Sequence, residues 1–403
     1  MTHPTAMQKD SKPALTPKLR FPEFRNSPGW PIRTLAPFLE EVAERVPPET
    51  DLPIYSSTRT GLKPQDDYYD GRILLNKSEY GVVPPGCFVY RHMSDDGLFK
   101  FNINDTGSPI AVSKEYPVFK AVNLDPRFLL NKLNFGADFE RFALSQKAGG
   151  TRTRLYLSKL AEWETPIPSI HEQQKIAECL STLDELIGAE SQKLDALKAH
   201  KKGLMQQLFP REGETLPRLR FPEFRNAPQW KSKTVDELVD TITPPKKLLT
   251  SDYRPAGQFP VIDQSQDYIC GWTDDEEAVI GDDLPVVVFG DHTCALKFVD
   301  RPFAQGADGI KILKAKAEVR DDFLFYSLQA NPVQQESYKR HFSTLRERVV
   351  AFPDKDTGEQ HRIATCLSSL DDLIAAHSDR LSALQIHKQG LLQQLFPVAG
   401  ENA

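Results

Sequence analysis

The chain has 403 residues, 50 Lys+Arg against 56 Asp+Glu, and a formal net charge of -6, which predicts two or three domains and excludes a uniformly basic DNA binder, so that any phosphate contact must use local basic patches with a partner's help. Its five cysteines, Cys87, Cys179, Cys270, Cys294 and Cys366, form no CxxC pair, which excludes a zinc cluster or disulfide framework and leaves small buried side chains as the expectation. No run of 18 apolar residues occurs, and the start, MTHPTAMQKDSKPALTPK, lacks a secretory core, so a cytoplasmic protein with no membrane contact is expected.

Residues 1–16 read as a flexible tail. Residues 17–30, PKLRFPEFRNSPGW, then open a first domain expected over 17–166, and the same text returns as PRLRFPEFRNAPQW at residues 217–230. A repeat at fixed offset sets the architecture before any local reading does. Inside the first domain GCFVY, residues 86–90, is apolar and β-branched between turn residues and predicts a strand. Arg59, Lys63, Arg91 and His92 are candidates for groove contact, with ordinary surface charge as the competing reading. Lys147, Arg152, Arg154 and Lys159 cluster at the end of the domain, where they form either a solvated charged face or a phosphate contact.

Residues 167–210 predict a long helix with a coiled-coil seam. Ile176, Leu180, Leu183, Ile187, Leu194, Leu197, Leu204 and Leu208 alternate steps of four and three, with Glu190 and Lys201 at the two remaining seam positions. Phe209-Pro210 ends it, because the residue before proline is pushed out of the α region. A narrow seam without a wider apolar face favours pairing with another helix.

A second domain is expected over 211–351, with strands in FPVID, residues 259–263, and PVVVFG, residues 285–290, and a helix in DDFLFYSLQ, residues 321–329. Gln264 and Gln266 suit adenine, since a side-chain amide can pair with N6 and N7; an exposed polar loop is the alternative. Gly290-Asp291-His292-Thr293 looks catalytic, but no nucleophile or metal set accompanies it, so it is either a turn satisfying its own backbone or a loop offering Asp291, His292 or Thr293 to base edges. Lys339, Arg340, Arg346 and Arg348 repeat the basic cluster of the first domain.

Residues 352–403 hold the second long helix and a tail. EQQKIAECLSTLDELIGAESQKLDALKAHKKGLMQQLFP, residues 172–210, returns as EQHRIATCLSSLDDLIAAHSDRLSALQIHKQGLLQQLFP, residues 359–397, with about two thirds of positions identical. Its seam is Ile363, Leu367, Leu370, Ile374, Leu381, Leu384, Leu391 and Leu395, interrupted by His377 and Lys388. The simplest partner for each helix is the other, and a two-fold pairing makes them antiparallel. The fold expected is therefore two mixed α/β domains separated by two long antiparallel coiled-coil helices, as a pseudo-two-fold internal repeat.

Two unlike domains alternating with two near-identical helices resemble the specificity subunits of type I restriction-modification systems. LRFPEFRN before each domain, IPSIHEQQKIA at the first helix, LLQQLFP ending the second, and the series FPVIDQSQ, VVVFGDHT and GADGIKIL are similar to that family's phrases in order, spacing and duplication. The resemblance implies two target recognition domains, each reading half of a bipartite double-stranded DNA sequence, and a helix pair that acts as ruler and as dock for two methyltransferase (modification) subunits. S-adenosylmethionine on those partners, and ATP and Mg on restriction/translocase subunits, are implied too; none is implied for this chain. One departure is the approach to the second helix, AFPDKDTGEQHRIA, which lacks the proline-rich PIPSIHEQ pattern of the first and points to a looser second docking surface.

The missing motifs agree with a non-catalytic role. Adenine methylation needs an NPPY-like or DPPY-like tetrapeptide with a glycine-rich loop, a motor needs GxxxxGK[ST], and neither is present. The rival from another class is a coiled-coil protein-interaction scaffold with two variable binding domains and no DNA role, supported by the acidic charge.

Overall fold

The computed structural model describes residues 13–68, 79–147, 152–211, 213–307, 309–336 and 339–397. It divides into two compact units, Met1–Ala189 with Leu381–Ala403, and Glu190–Arg380. The expected tail falls outside the described residues as far as residue 12; beyond it Leu15 is fixed, exchanging backbone hydrogen bonds with Trp30 at 3.0 and 2.6 Å.

The long helices span Ile170–Leu208 and Glu359–Leu395 and stop just before the Phe-Pro pairs. In the first unit the start of the first helix meets the end of the second, with Ile176, Leu180, Leu392, Leu395 and Phe396 closing over Trp30 and Phe128. In the second unit the start of the second helix, Ile363 and Leu367, meets Met205, Leu208 and Phe209 over Trp230 and Phe323. The pairing is antiparallel in both places. Of the seam, Ile176, Leu180, Leu183, Leu194, Leu208, Ile363, Leu367 and Leu395 are buried, and Ile187, Leu197, Leu204, Leu370, Ile374, Leu381, Leu384 and Leu391 are half-buried. The aromatic packing is duplicated as well. Trp30 stands edge-on to Phe128 at 6.0 Å and 67°, and Trp230 to Phe323 at 5.9 Å and 68°.

The repeated motif is clamped to the helices by the Glu-Gln that begins each repeat. Arg20 donates to both oxygens of Glu172 at 2.7 and 2.8 Å and to the carbonyls of Ser27 and Pro28; Arg220 does the same with Glu359, 2.7 Å to each oxygen, and with Ala227 and Pro228. Gln173 accepts from Asp125 N, and Gln360 from Arg320 N, so each glutamine holds the N-cap residue of a ten-residue helix of its domain, Pro126–Phe135 or Asp321–Ala330. The divergent approach to the second helix keeps this clamp, because Gly358 turns in the left-handed region (φ 79°), which suits glycine, and leaves Glu359 and Gln360 fully buried.

The two variable domains, unlike in sequence, each contain a four-stranded sheet of the same strand arrangement. In the first the antiparallel order is Leu39–Glu41, Val118–Ala121, Phe88–Tyr90, Phe101–Ile103; in the second it is Val239–Ile242, Ile310–Ala315, Val286–Gly290, Leu296–Val299. The registers correspond: Phe88 opposes Phe119 and Val89 opposes Val118, as Val287 opposes Leu313 and Val288 opposes Ile312. Val122 N donates to Phe38 O at 2.9 Å, and Lys316 N to Leu238 O at 2.8 Å. Apolar pattern and volume suffice to specify such a core, so the sequences could diverge while the ladder stayed.

Candidate nucleic-acid interface

In the first domain the hairpin Tyr55–Thr58/Gly61–Pro64 carries Arg59 at its turn and Lys63 on its second strand. It borders a concavity of 340 Å³ lined by Arg59, Arg91, Asp95, Leu98 and Lys100 among others. Arg59 grips Asp96 at 2.6 and 2.7 Å, and Arg152 grips Asp95 at 2.8 Å, so Arg59, Arg91 and Arg152 gather around one acidic turn. The Arg59 guanidinium, then the Ser94 hydroxyl and the Leu98 N–H, hold the Asp96 carboxyl well below the usual carboxylate range. Arg91 and Arg154 are exposed and make no ion pair among the described residues. Lys147 is exposed at a helix end, and Lys159 pairs locally with Glu162 at 2.8 Å.

His92 departs from expectation as a groove contact. It is 6% exposed, its ring stacks on Tyr156 at 5.4 Å, and its carbonyl accepts from Leu155 N. Asp291 occupies the corresponding place in the second domain and is likewise spent internally. At 4% exposure its carboxylate accepts from His341 N and Phe342 N at 2.9 and 2.8 Å, capping the helix Phe342–Glu347, while its carbonyl accepts from His341 N. Asp291 thus serves the backbone of a distant segment rather than that of its own turn. Each of these carbonyls receives its bond from the residue after an arginine, which makes Arg154 and Arg340 counterparts; the Arg340 side chain is 81% exposed, 4.0 Å from Asp291.

Three distant phrases of the second domain meet at one place. Thr293 Oγ1 donates to Gln264 O at 2.6 Å, Asp291 N to Gly309 O at 2.7 Å, and His292 Nδ1 to Lys339 O at 3.2 Å. Gln264 is packed here rather than displayed: its Oε1 is buried without a partner, and Gly309, at φ 106°, lies so close that a Cβ would sit 2.7 Å from the amide. The left-handed backbone there suits glycine, and Gln264 is half-buried beside it. Gln266, by contrast, is exposed. Lys339 pairs with Glu336. Arg346 is tied to Asp236 at 2.6 Å, and Arg348 reaches Pro332 O at 3.4 Å and lines a separate 630 Å³ cavity with Arg211 and Glu347, so neither joins this cluster.

Sequence reasoning passed over Asp95 and Asp96, which only the Asp-Asp-Gly turn signal could have flagged, and Lys297, a lysine inside a strand. The five cysteines are free. Among the described residues no group of His, Cys, Asp and Glu could hold a metal, and no helix is long and apolar enough to cross a membrane.

Residues 75–199 match the family model described as the type I restriction modification DNA specificity domain. The chain is 25% identical over 197 residues to the type I restriction enzyme MjaX specificity subunit of Methanocaldococcus jannaschii, covering 45% of either protein. It is 23% identical over 284 residues to the MjaVIII specificity subunit of the same organism, covering 64% of this chain and 67% of that one. The first alignment thus spans under half of the relative's length. Among solved structures, the type I restriction-modification S subunit from M. genitalium aligns over 95% of this chain and 100% of its own, with TM-score 0.64 and 16% identity. A chain from a study of complex assembly and conformational transition in the type I R-M system aligns over 92% and 98%, with TM-score 0.52 and 17% identity. The chain is thus similar to the specificity subunits of type I restriction-modification systems: residues 75–199 match their DNA specificity domain, and its fold is that of a solved S subunit.

Proposed function

We propose that this chain reads an asymmetric, interrupted double-stranded DNA sequence for a type I methyltransferase-endonuclease complex and performs no chemistry itself. The observation that carries the reading is one sheet register bearing two different sets of surface side chains: Arg59, Arg91 and Arg154 in one domain, and Gln266, Lys339 and Arg340 in the other. Phosphate contacts position a protein on the duplex and base edges supply specificity, so two unlike surfaces on a common frame suit two unlike half-sites.

Partner docking follows from the repeat. Exposed residues of the two helices have diverged at many positions, Glu178 against Thr365 and Asp195 against Ser382 among them, yet one exposed stripe at steps of three, seven and four is kept. It carries Leu186/Leu373, Ala189/Ala376, Ala196/Ala383 and His200/His387, with the two leucines 39% and 48% exposed. The same stripe on both helices fits two copies of one partner, the modification subunit, which brings S-adenosylmethionine; restriction/translocase subunits bring ATP and Mg.

The test is the methylome of cells in which this chain is the sole specificity subunit. Half-sites read from one side of B-DNA lie about one turn, roughly ten base pairs, apart, so two short specified blocks flanking a gap of roughly five to eight unspecified pairs are expected. A continuous palindrome overturns the reading, and a scaffold without a DNA role leaves no modified motif.

A further inference from the structure

Lys297 is a buried cation, 5% exposed, on the edge strand Leu296–Val299. Its Nζ donates to Asp263 O at 2.8 Å and Asp267 O at 2.5 Å. Those carbonyls are the feet of one loop, which leaves the strand Phe259–Ile262 and returns into the antiparallel strand Gly271–Thr273. Further bonds hold the loop, among them Ser265 N to Asp263 Oδ1 at 2.8 Å, Thr293 Oγ1 to Gln264 O at 2.6 Å, and Tyr268 OH to Phe298 O at 2.6 Å. The bracing leaves out Gln266, which stands exposed at the apex with no hydrogen bond among the described residues. An ammonium withdrawn from water is costly unless its protons are used, and this one is used on a loop that buries little of its own.

The first domain repeats the device with different chemistry. Val89 opposes Asn102 as Val288 opposes Lys297, so Asn102 and Lys297 hold the same register position. Asn102 is 8% exposed, and its Nδ2 donates to Ser57 Oγ at 2.8 Å and Thr58 O at 3.1 Å. Ser57 and Thr58 end the strand that runs into the turn carrying Arg59. Two domains without sequence likeness thus place a buried donor at one strand position and aim it at the loop that displays a long polar side chain. Ordering a loop before binding removes an entropic cost from recognition.

We propose that these are the base-reading loops of the two half-sites: Arg59 and Gln266 are specificity-determining residues, suited to guanine and adenine respectively, and Asn102 and Lys297 are the positioning residues behind them. This rests on the DNA-reading function proposed above.

The experiment uses the full chain with its methyltransferase subunits and a pool of DNA targets randomised within each half-site, read by sequencing bound DNA. Arg59→Ala should lose about 10-fold to 100-fold discrimination at one position of the first half-site, and Gln266→Ala at one position of the second. Asn102→Ala and Lys297→Met, the latter keeping the apolar stem, should lose part of the discrimination at those same positions, with affinity for non-specific DNA and its salt dependence unchanged. A merely structural role would instead lower all binding or melt one domain. If Lys297→Met unfolds the second domain, Gln266→Ala and the first-domain variants still decide. Wild-type protein that shows no sequence preference refutes the DNA-reading function; selective wild-type protein with Arg59→Ala and Gln266→Ala unchanged refutes the loop assignment alone. Asn102→Ala acting on the second half-site or on both overturns the bracing role.

Discussion

Lys201 Nζ lies 2.6 Å from Asp371 Oδ1, and the Tyr326 hydroxyl donates to the other oxygen of that carboxylate at 2.8 Å. The counterpart lysine, Lys388, pairs with Asp184. The lysines that interrupt the seam are therefore satisfied by aspartates beside it, one on each helix, at positions that correspond in the repeat. A chain cut after Arg211 carries Asp184 and Lys201 together, along with Leu208 and Phe209 to stand in for Leu395 and Phe396. It should form a homodimer that reburies its apolar seam at roughly 25 cal/mol per Å². Light scattering reads the mass, and Lys201→Asp should return the half-chain to monomer by bringing like charges together. A monomeric unmutated half would refute the self-pairing.

Acid should loosen the seam in the second unit. His377 Nδ1 contacts Glu190 Oε1, and Arg380 lies 3.6 Å from the other oxygen. The bond to His377, followed by the charge of Arg380, holds the Glu190 carboxyl below its ordinary value. A carboxylate with a depressed folded pKa contributes stability that is present above its unfolded pKa, near about 4.3, and lost as pH falls through the lower folded one. Melting curves from pH 6 to pH 3 should show Glu190→Gln losing less stability over that range than wild type; parallel curves would discount the pair.

The clamps on the repeated motif should be the costliest single sites. Arg20 and Glu172 side chains are 7% and 3% exposed, Arg220 and Glu359 13% and 1%. Each arginine is pushed above its ordinary pKa, first by the hydrogen bond to its glutamate. Glu172→Ala or Glu359→Ala strands a buried guanidinium and should destabilise the affected unit by about 3–5 kcal/mol. Hydrogen exchange resolved by segment should place the loss around residues 17–30 for the first variant and 217–230 for the second. A loss under about 1 kcal/mol would mean the arginine finds water instead.

Arginines inside and outside the proposed reading surface should behave differently on DNA. Arg91, Arg154 and Arg340 are exposed without a close carboxylate bond, whereas Arg346, bonded to Asp236, lies outside that cluster. Replacing Arg91, Arg154 or Arg340 with Ala should weaken binding to all sequences and flatten the slope of log affinity against log salt by about 0.9 each, with Arg346→Ala nearly silent. A changed sequence preference in Arg154→Ala or Arg340→Ala would assign them to bases rather than phosphates.

Much of the molecule was legible before folding because it is periodic. The two copies of LRFPEFRN, the seam with its steps of four and three, and the Phe-Pro stops are local patterns whose meaning follows from helix geometry, and the helices run where those patterns said. Tertiary structure decided which polar residues remain available. His92 and Asp291 look like readers in the sequence and are enclosed in the fold, because their partners, Tyr156 and His341, come from segments 50 to 64 residues away. Lys297 looks like a surface lysine and is buried, since alternation along a strand leaves its face open to the loop above. The shared register of the two domains was likewise hidden, because a sheet requires apolar side chains of suitable volume at given positions and not particular residues. Sequence alone determined the duplication and the two long helices; three-dimensional contact determined which side chains each domain is left free to present.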